Sequence, residues 1–222
     1  EACGRLGLIV DIHTGDPKAF FEPPTPANER YEELSANPGW SFFGPPFPSW
    51  EELFGEFERR VARHPGTLFV GIHFGNAPEE PERVAAMLRR YPNLYVDTAA
   101  RVGEIGRQPA ERLRALFVEH RERILFGTDF SMFGPELMLG APDGTQPGPA
   151  EADLFFAAHW RFFETGERAI AHPTPIQGRW TVDGLGLPAE VLHDLYHRNA
   201  ERLFGLPPLD QPPAAASGKA AN

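Results

Sequence analysis

Four apolar runs in this chain end on residues that can do chemistry. "LGLIVDIH" ends on His13, "TLFVGIH" on His73, "NLYVD" on Asp97 and "RILFGTD" on Asp129. Neutral imidazole and carboxylate are the donors that zinc and similar divalent ions take. A carboxylate beside such an ion can also move protons. Each residue has a plainer reading when taken singly. A histidine closing a strand is often a hydrogen-bonded core residue. Asp97 suits a loop cap or a partner that orients a histidine, and Asp129 suits an Asx turn or an N-cap. Taken jointly, two histidines and two aspartates at four strand ends point to a metal site. Asp97 is then read as holding a histidine rather than the ion.

The elements that must position these groups are legible as alternating strands and helices. "SWEELFGEFERRVARHP" has Ser49 as N-cap, Glu52 at the capping-box position and an apolar face of Leu53, Phe57 and Val61. "EEPERVAAMLRRYP" and "QPAERLRALFVEHRER" read as further helices, and "PAEVLHDLYHRNAERLFG" as a closing helix that stops at Gly205. Strand and helix in alternation predict a parallel sheet with helical crossovers, because parallel neighbours cannot be joined by a tight turn. In such folds ligands gather at the carboxyl ends of the strands, which is where the four polar residues stand. No strand is followed by a GxGxxG or GxxxxGK loop, which argues against a nucleotide-binding sheet.

The segments from Thr14 to Pro48 and from Phe130 to Gly186 read as long loops over the site. Phe20, Phe21, Trp40, Phe42, Phe43 and Phe47 in the first form either a wall over a small organic substrate or the loop's own satellite core. Trp40 is the candidate for substrate contact. Arg101, just past the third strand, either clamps a substrate carboxylate with its planar fork or pairs with Glu104. Arg30 in "NER" is a similar candidate. His120, His193 and His197 fall in helix patterns as solvated or half-buried residues, and His159 and His172 receive no role.

Composition narrows the rest. At 222 residues and 41% hydrophobic content the chain can bury one sizeable core. A net charge of -10 argues against nucleic acid or an anionic membrane as the main partner. Cys3 is the lone cysteine, so no intrachain disulfide or thiolate cluster is expected, and a reducing compartment such as the cytoplasm fits. No apolar run is long enough to span a bilayer. The Pro/Ala-rich tail over 207–222 reads as disordered, leaving 1–206 as one domain. "EACGRLGLIVDIH" runs straight into a buried strand from the first residue, so the chain is expected to begin inside a larger protein.

"DIHTGDPKAFFEPP", "NERYEEL", "FFGPPFPSWEEL", "GIHFGN", "YPNLYVDTAAR", "GRQPAERL", "RILFGTDF", "QGRW" and "GLGLP…LYHRNAERLFGL" together resemble the amidohydrolase-related family, which includes the aminocarboxymuconate semialdehyde decarboxylase-like enzymes. The resemblance runs almost end to end up to the tail. It implies a distorted TIM barrel, (β/α)8, with one divalent metal, zinc or else manganese. In the family an HxH pair follows strand 1, a histidine follows each of strands 5 and 6, and an aspartate follows strand 8. By motif, His13 matches the strand-5 ligand, His73 the strand-6 position and Asp129 the strand-8 aspartate.

No HxH pair exists in this chain, and four strands are visible where a closed barrel needs eight. The resemblance therefore implies the C-terminal half of the family, strands 5–8 with their helices, which needs the missing N-terminal half. An open sheet edge is expected at each side. By itself the chain is expected to bind metal poorly and to be inactive, since zinc enzymes supply at least three protein ligands. In the intact enzyme the resemblance implies a metal-activated water, with Asp129 as general base then acid and His73 as ligand or second electrophile. Hydrolysis of a small organic substrate and non-oxidative decarboxylation both suit that site, and a degenerate, non-catalytic barrel is the third reading. A homodimer also stays open.

Overall fold

The computed structural model describes residues 1–133, 136–141 and 144–209. Four strands, β1 (Val10–Ile12), β2 (Phe69–Gly71), β3 (Leu94–Asp97) and β4 (Ile124–Leu125), form one sheet in the order β1-β2-β3-β4. All three pairings are parallel, with Val10 opposite Phe69, Phe69 opposite Leu94 and Val96 opposite Ile124. A doubly wound sheet reverses its strand order at a switch point, whereas here each strand lands beyond the last. That is the order of a βα-barrel wall. The class is α/β of the TIM-barrel type, present as an arc of four strands.

Alternate strand residues serve two faces. Phe69, Leu94, Val96 and Ile124 join the main core with the crossover helices Trp50–Arg63, Pro81–Arg90 and Ala110–Glu119. Val70 and Leu125 face the other way, with Tyr95 partly buried beside them. The capping box forms as the sequence predicts: Ser49 Oγ accepts from the Glu52 amide at 3.3 Å, and Glu52 Oε2 accepts from the Ser49 amide at 2.8 Å. The buried stripe of that helix is Trp50, Phe54, Phe57 and Val61, so Phe54 takes the place expected of Leu53, which is only half-buried. Trp50 stacks on Phe54 at 5.1 Å within that stripe.

The closing helix runs Ala189–His193, passes through a π-helical turn Asp194–Arg198, and ends as Asn199–Phe204. It covers β4. The Phe126 amide donates to Leu195 O at 2.9 Å, and Asn199 Nδ2 donates to Ile124 O and Arg121 O at 2.7 Å each. Leu203 packs beside Val70 and Leu125. The expectation of two open edges is therefore corrected in part at β4, where the closing helix takes the Ile124 carbonyl and the Phe126 amide just beyond the strand. β1 pairs with β2 alone.

The two long stretches are not plain loops. The first holds the short helix Tyr31–Ala36. The second holds an antiparallel hairpin of β5 (Phe130–Phe133) and β6 (Glu136–Leu139), the helix Pro149–Glu164, and a small pair β7 (Ile170–Ala171) with β8 (Thr181–Val182). The helix escapes a periodicity reading because "LFFAAHWRFF" is apolar on most sides, without one polar face. Residues 210–222, expected to be disordered, lie outside the described residues. Among those described, no helix is long and apolar enough to cross a membrane.

His159 sits on that unexpected helix, fully buried against Phe126 and Phe155. Its Nδ1 donates to Phe155 O at 2.8 Å, while Nε2 has no partner. Burial drives the ring's pKa down to about 4. The folded state therefore binds fewer protons than the unfolded chain between about pH 4 and 6.5, and stability falls on acidification through that window. At pH 5 the effect is about 2 kcal/mol. His159→Leu removes the titration, so urea unfolding of this variant should lose about that much less stability between pH 7 and pH 5 than wild type. Parallel losses in the two proteins would assign the acid sensitivity elsewhere.

Candidate active site

The carboxyl end of the sheet opens into a cavity of about 350 Å³. His13, His73, Asp129, Arg101, Arg30 and Trp40 all line it, as do Asp16 and Gln177. His13, His73, Arg101 and Asp129 meet there because parallel strands deliver their carboxyl ends to one edge, and Arg30, Trp40 and Gln177 come in from the long connections.

β2 delivers His73 through a tight turn. Gly71 has no room for a side chain, since a Cβ there would lie 2.9 Å from both Gly75 Cα and the Phe57 ring. His73, Phe74, Gly75 and Asn76 follow with φ of 57°, 58°, 64° and 59°, a full turn of left-handed backbone. A left-handed conformation costs an L-residue roughly 1–2 kcal/mol. The turn is held by several contacts at once. Phe74 is fully buried and stacks on Phe117 at 6.0 Å, and the Asn76 side chain donates to Asp16 O at 3.2 Å. The result is that the His73 ring lies edge-on to the His13 ring, with centroids 4.8 Å apart.

His73 Nδ1 stands 2.8 Å from Ala99 O, so that nitrogen must carry the proton and Nε2 keeps its lone pair. Burial, with the nearby Arg101 charge, pushes the His73 pKa down to about 3. The ring is neutral at pH 7 and fit to donate electrons to a cation. Asp97 does not line the cavity. It lies beneath, where its Oδ1 accepts from the His73 amide at 2.8 Å and from the Ala99 amide at 3.1 Å. The amide and the carbonyl of Ala99 thus both brace His73, the amide through Asp97 and the carbonyl directly. Burial lifts the Asp97 carboxyl to about 6 against the pull of those hydrogen bonds. Asp129, with φ 59°, turns at the end of the fourth run into the cavity, and burial raises its carboxyl although Arg101 and His13 oppose this.

The two arginines have different surroundings. Arg30 is buried between carboxylates: Nη1 meets Glu33 Oε2 at 2.6 Å, and Nη2 bonds Glu104. Its charge is answered within the protein, and Glu104 is taken by Arg30 rather than by Arg101. Arg101 makes no ion pair among the described residues. Its Nη1 donates to Ala100 O at 3.0 Å, and its buried Nε is unsatisfied. Burial lowers its pKa to about 10, which leaves it cationic at neutral pH. Gln177, which the sequence reading gave no role, holds Ala100 O from the other side at 2.9 Å and accepts from Thr174 Oγ1 at 2.5 Å. The only signal for it was its place in "QGRW". In the aromatic set, Phe20, Trp40 and Phe42 face the cavity, while Phe43 and Phe47 are exposed and Phe47 packs on Phe42 at 5.2 Å. That loop is at once a wall and its own small core.

Two imidazoles and a carboxylate are the right donors for a divalent ion, and the tautomer of His73 leaves the correct nitrogen free. Among the described residues, no three His, Cys, Asp or Glu groups are arranged to hold one by themselves.

The family model for amidohydrolases matches residues 1–206, and the chain belongs to that amidohydrolase family. Among solved structures it is similar to an uncharacterized TIM-barrel protein from Bordetella bronchiseptica, at 17% identity and a TM-score of 0.48 over 92% of this chain and 48% of that one. It is also similar to an amidohydrolase from Burkholderia multivorans. With bound HEPES the figures are 16% identity, a TM-score of 0.39, and coverage of 89% and 64%. With bound Zn they are 15%, 0.40, and 93% and 69%. The chain spans about half the length of the Bordetella protein. No curated protein matches it.

Proposed function

We propose that this chain carries one side of the active site of a metal-dependent hydrolase, which attacks a small carboxylate-bearing organic substrate with an activated water. The observation that carries this reading is the unpaired Arg101 in the same cavity as His13, His73 and Asp129. His13 and His73 would hold the ion, with Asp129 beside it, and zinc suits these donors. A divalent ion supplies Lewis acidity, which makes water acidic near neutral pH. The chain's own residues do the rest. Asp129 takes the proton of the attacking water and returns it to the leaving group. Asp97 and Ala99 keep His73 in one tautomer and one orientation. Arg101 orients the substrate by its carboxylate, and Phe20, Trp40 and Phe42 exclude water from its apolar side.

Decarboxylation without an oxidant is the second reading. It is favoured by the burial of Asp129, which raises its carboxyl and so eases the proton delivery to carbon that must accompany loss of CO2. Product analysis separates the two: hydrolysis adds water across a bond, and decarboxylation releases CO2.

Arg101→Met in the complete barrel tests the substrate assignment. KM for an anionic substrate should rise about 10- to 100-fold, since a hydrogen bond to a charged group contributes ~1.5–3 kcal/mol. Stability should be unchanged or higher, because the substitution removes a buried cation that has no counter-ion. Unchanged KM together with a large loss of stability would make Arg101 a structural residue.

A further inference from the structure

We infer that His193 and His197, on the closing helix and away from the cavity, form a second site for a zinc-class divalent ion, oriented by Glu201. The three residues recur every four positions and so stack along one side of the helix. His197 Nδ1 lies 2.8 Å from Glu201 Oε1. The carboxylate can only accept, so the His197 proton is on Nδ1 and Nε2 presents its lone pair. That Nε2 stands 3.2 Å from His193 Nδ1, with the two rings nearly perpendicular at 87°. Two imidazole nitrogens bound at 2.0–2.1 Å to one tetrahedral zinc ion are separated by about 3.3 Å. The pair is therefore held at the separation that chelation requires. In the metal-free pair a single proton, on His193 Nδ1, bridges the gap. An ion replaces it when neutral His193 moves that proton to Nε2, with no net proton release.

Glu201 plays the part of the carboxylate that orients a metal-binding histidine. It is itself fixed, since Oε1 also accepts from the Leu209 amide at 2.8 Å. His193 is exposed and His197 half-buried, so the ion is reached from solvent and water completes its shell. The site is independent of the proposed reaction. It ties together the turn whose Leu195 carbonyl caps β4 and the segment carrying Leu203, so a bound ion should stabilise the sheet's covered edge by linkage.

The test is calorimetric titration of zinc into the full chain carrying His13→Ala, which weakens the cavity's own donor set at an exposed residue. One zinc per chain is expected, with the imidazole nitrogen-15 signals of His193 Nδ1 and His197 Nε2 moving on addition. His197→Ala should abolish this binding, His193→Ala should weaken it at least tenfold, and Glu201→Gln should weaken it 10- to 100-fold. Zinc binding unaffected by His193→Ala and His197→Ala would overturn the proposal, as would a chain with folded circular dichroism that takes up no zinc.

Discussion

Asp129→Asn in the complete barrel should lower kcat by about 10²–10⁴-fold, the usual contribution of a positioned general base, while KM changes little. The amide keeps the shape of the side chain but cannot accept a proton from water. Metal content has to be measured in both proteins first, because a carboxylate that also touches the ion would lower occupancy when replaced. The pH profile gives a second reading of the same residue. Burial raises the Asp129 carboxyl, so the base form is lost at a higher pH than for a free aspartate. The acid limb of kcat/KM should therefore be displaced upward from that of a free aspartate, with the rate falling as pH falls through it. A fully metallated Asn variant with near wild-type turnover would return Asp129 to the plainer role of capping the turn after "ILFGT".

Arg30→Met should destabilise the protein by about 3–5 kcal/mol, the range seen when one partner of a buried ion pair is removed. Two buried carboxylates would lose their ion-pair partner, Glu33 at 5% side-chain exposure and Glu104 at 0%. Burial already raises the Glu33 carboxyl even with Arg30 beside it. The urea midpoint at pH 7 measures the loss. The triple replacement Arg30→Met, Glu33→Leu, Glu104→Leu should recover most of it, since apolar side chains of similar volume replace a buried ion triad at little net cost. A single variant as stable as wild type would mean that the three groups are solvated and that Arg30 is free to bind substrate.

These two residues show where a sequence is and is not informative. Asp129, His13 and His73 were legible because each interrupts an apolar run at its end, and the fold sends all such ends to one edge. Asp97 was legible as a strand-end carboxylate for the same reason, although it takes the His73 backbone amide while Ala99 O holds the ring. Arg30 and Arg101 look alike in sequence, each in a polar stretch after a strand. What separates them is Glu104, which stands three residues from Arg101 but bonds Arg30, 74 residues away. Proximity along the chain misleads there because Arg101 is turned into the cavity by Ala100, a left-handed residue with φ 54° that no local pattern announces. The helix Pro149–Glu164 and the β5–β6 hairpin were missed for a different reason. Their apolar residues follow neither period cleanly: the helix is fixed by burying Phe162 and Phe163 in the main core, and the hairpin by the pairing of β5 with β6.

The left-handed turn over His73–Asn76 also limits how this protein can be improved. Selection for heat resistance ordinarily finds glycine at such positions, because glycine adopts positive φ at no steric cost. At residue 73 that exchange deletes the imidazole aimed at His13. At residue 74 it deletes a phenyl ring whose loss from a core costs ~3–5 kcal/mol, more than the backbone would regain. Only Asn76→Gly is nearly free, and even it gives up the bond to Asp16 O. A library randomised over these positions and screened for thermostability should therefore return the parental His-Phe pair, with variation admitted at 76. The turn is a local optimum from which single substitutions lead downhill in either folding or chemistry, so stability gained by this protein has to come from elsewhere on the chain.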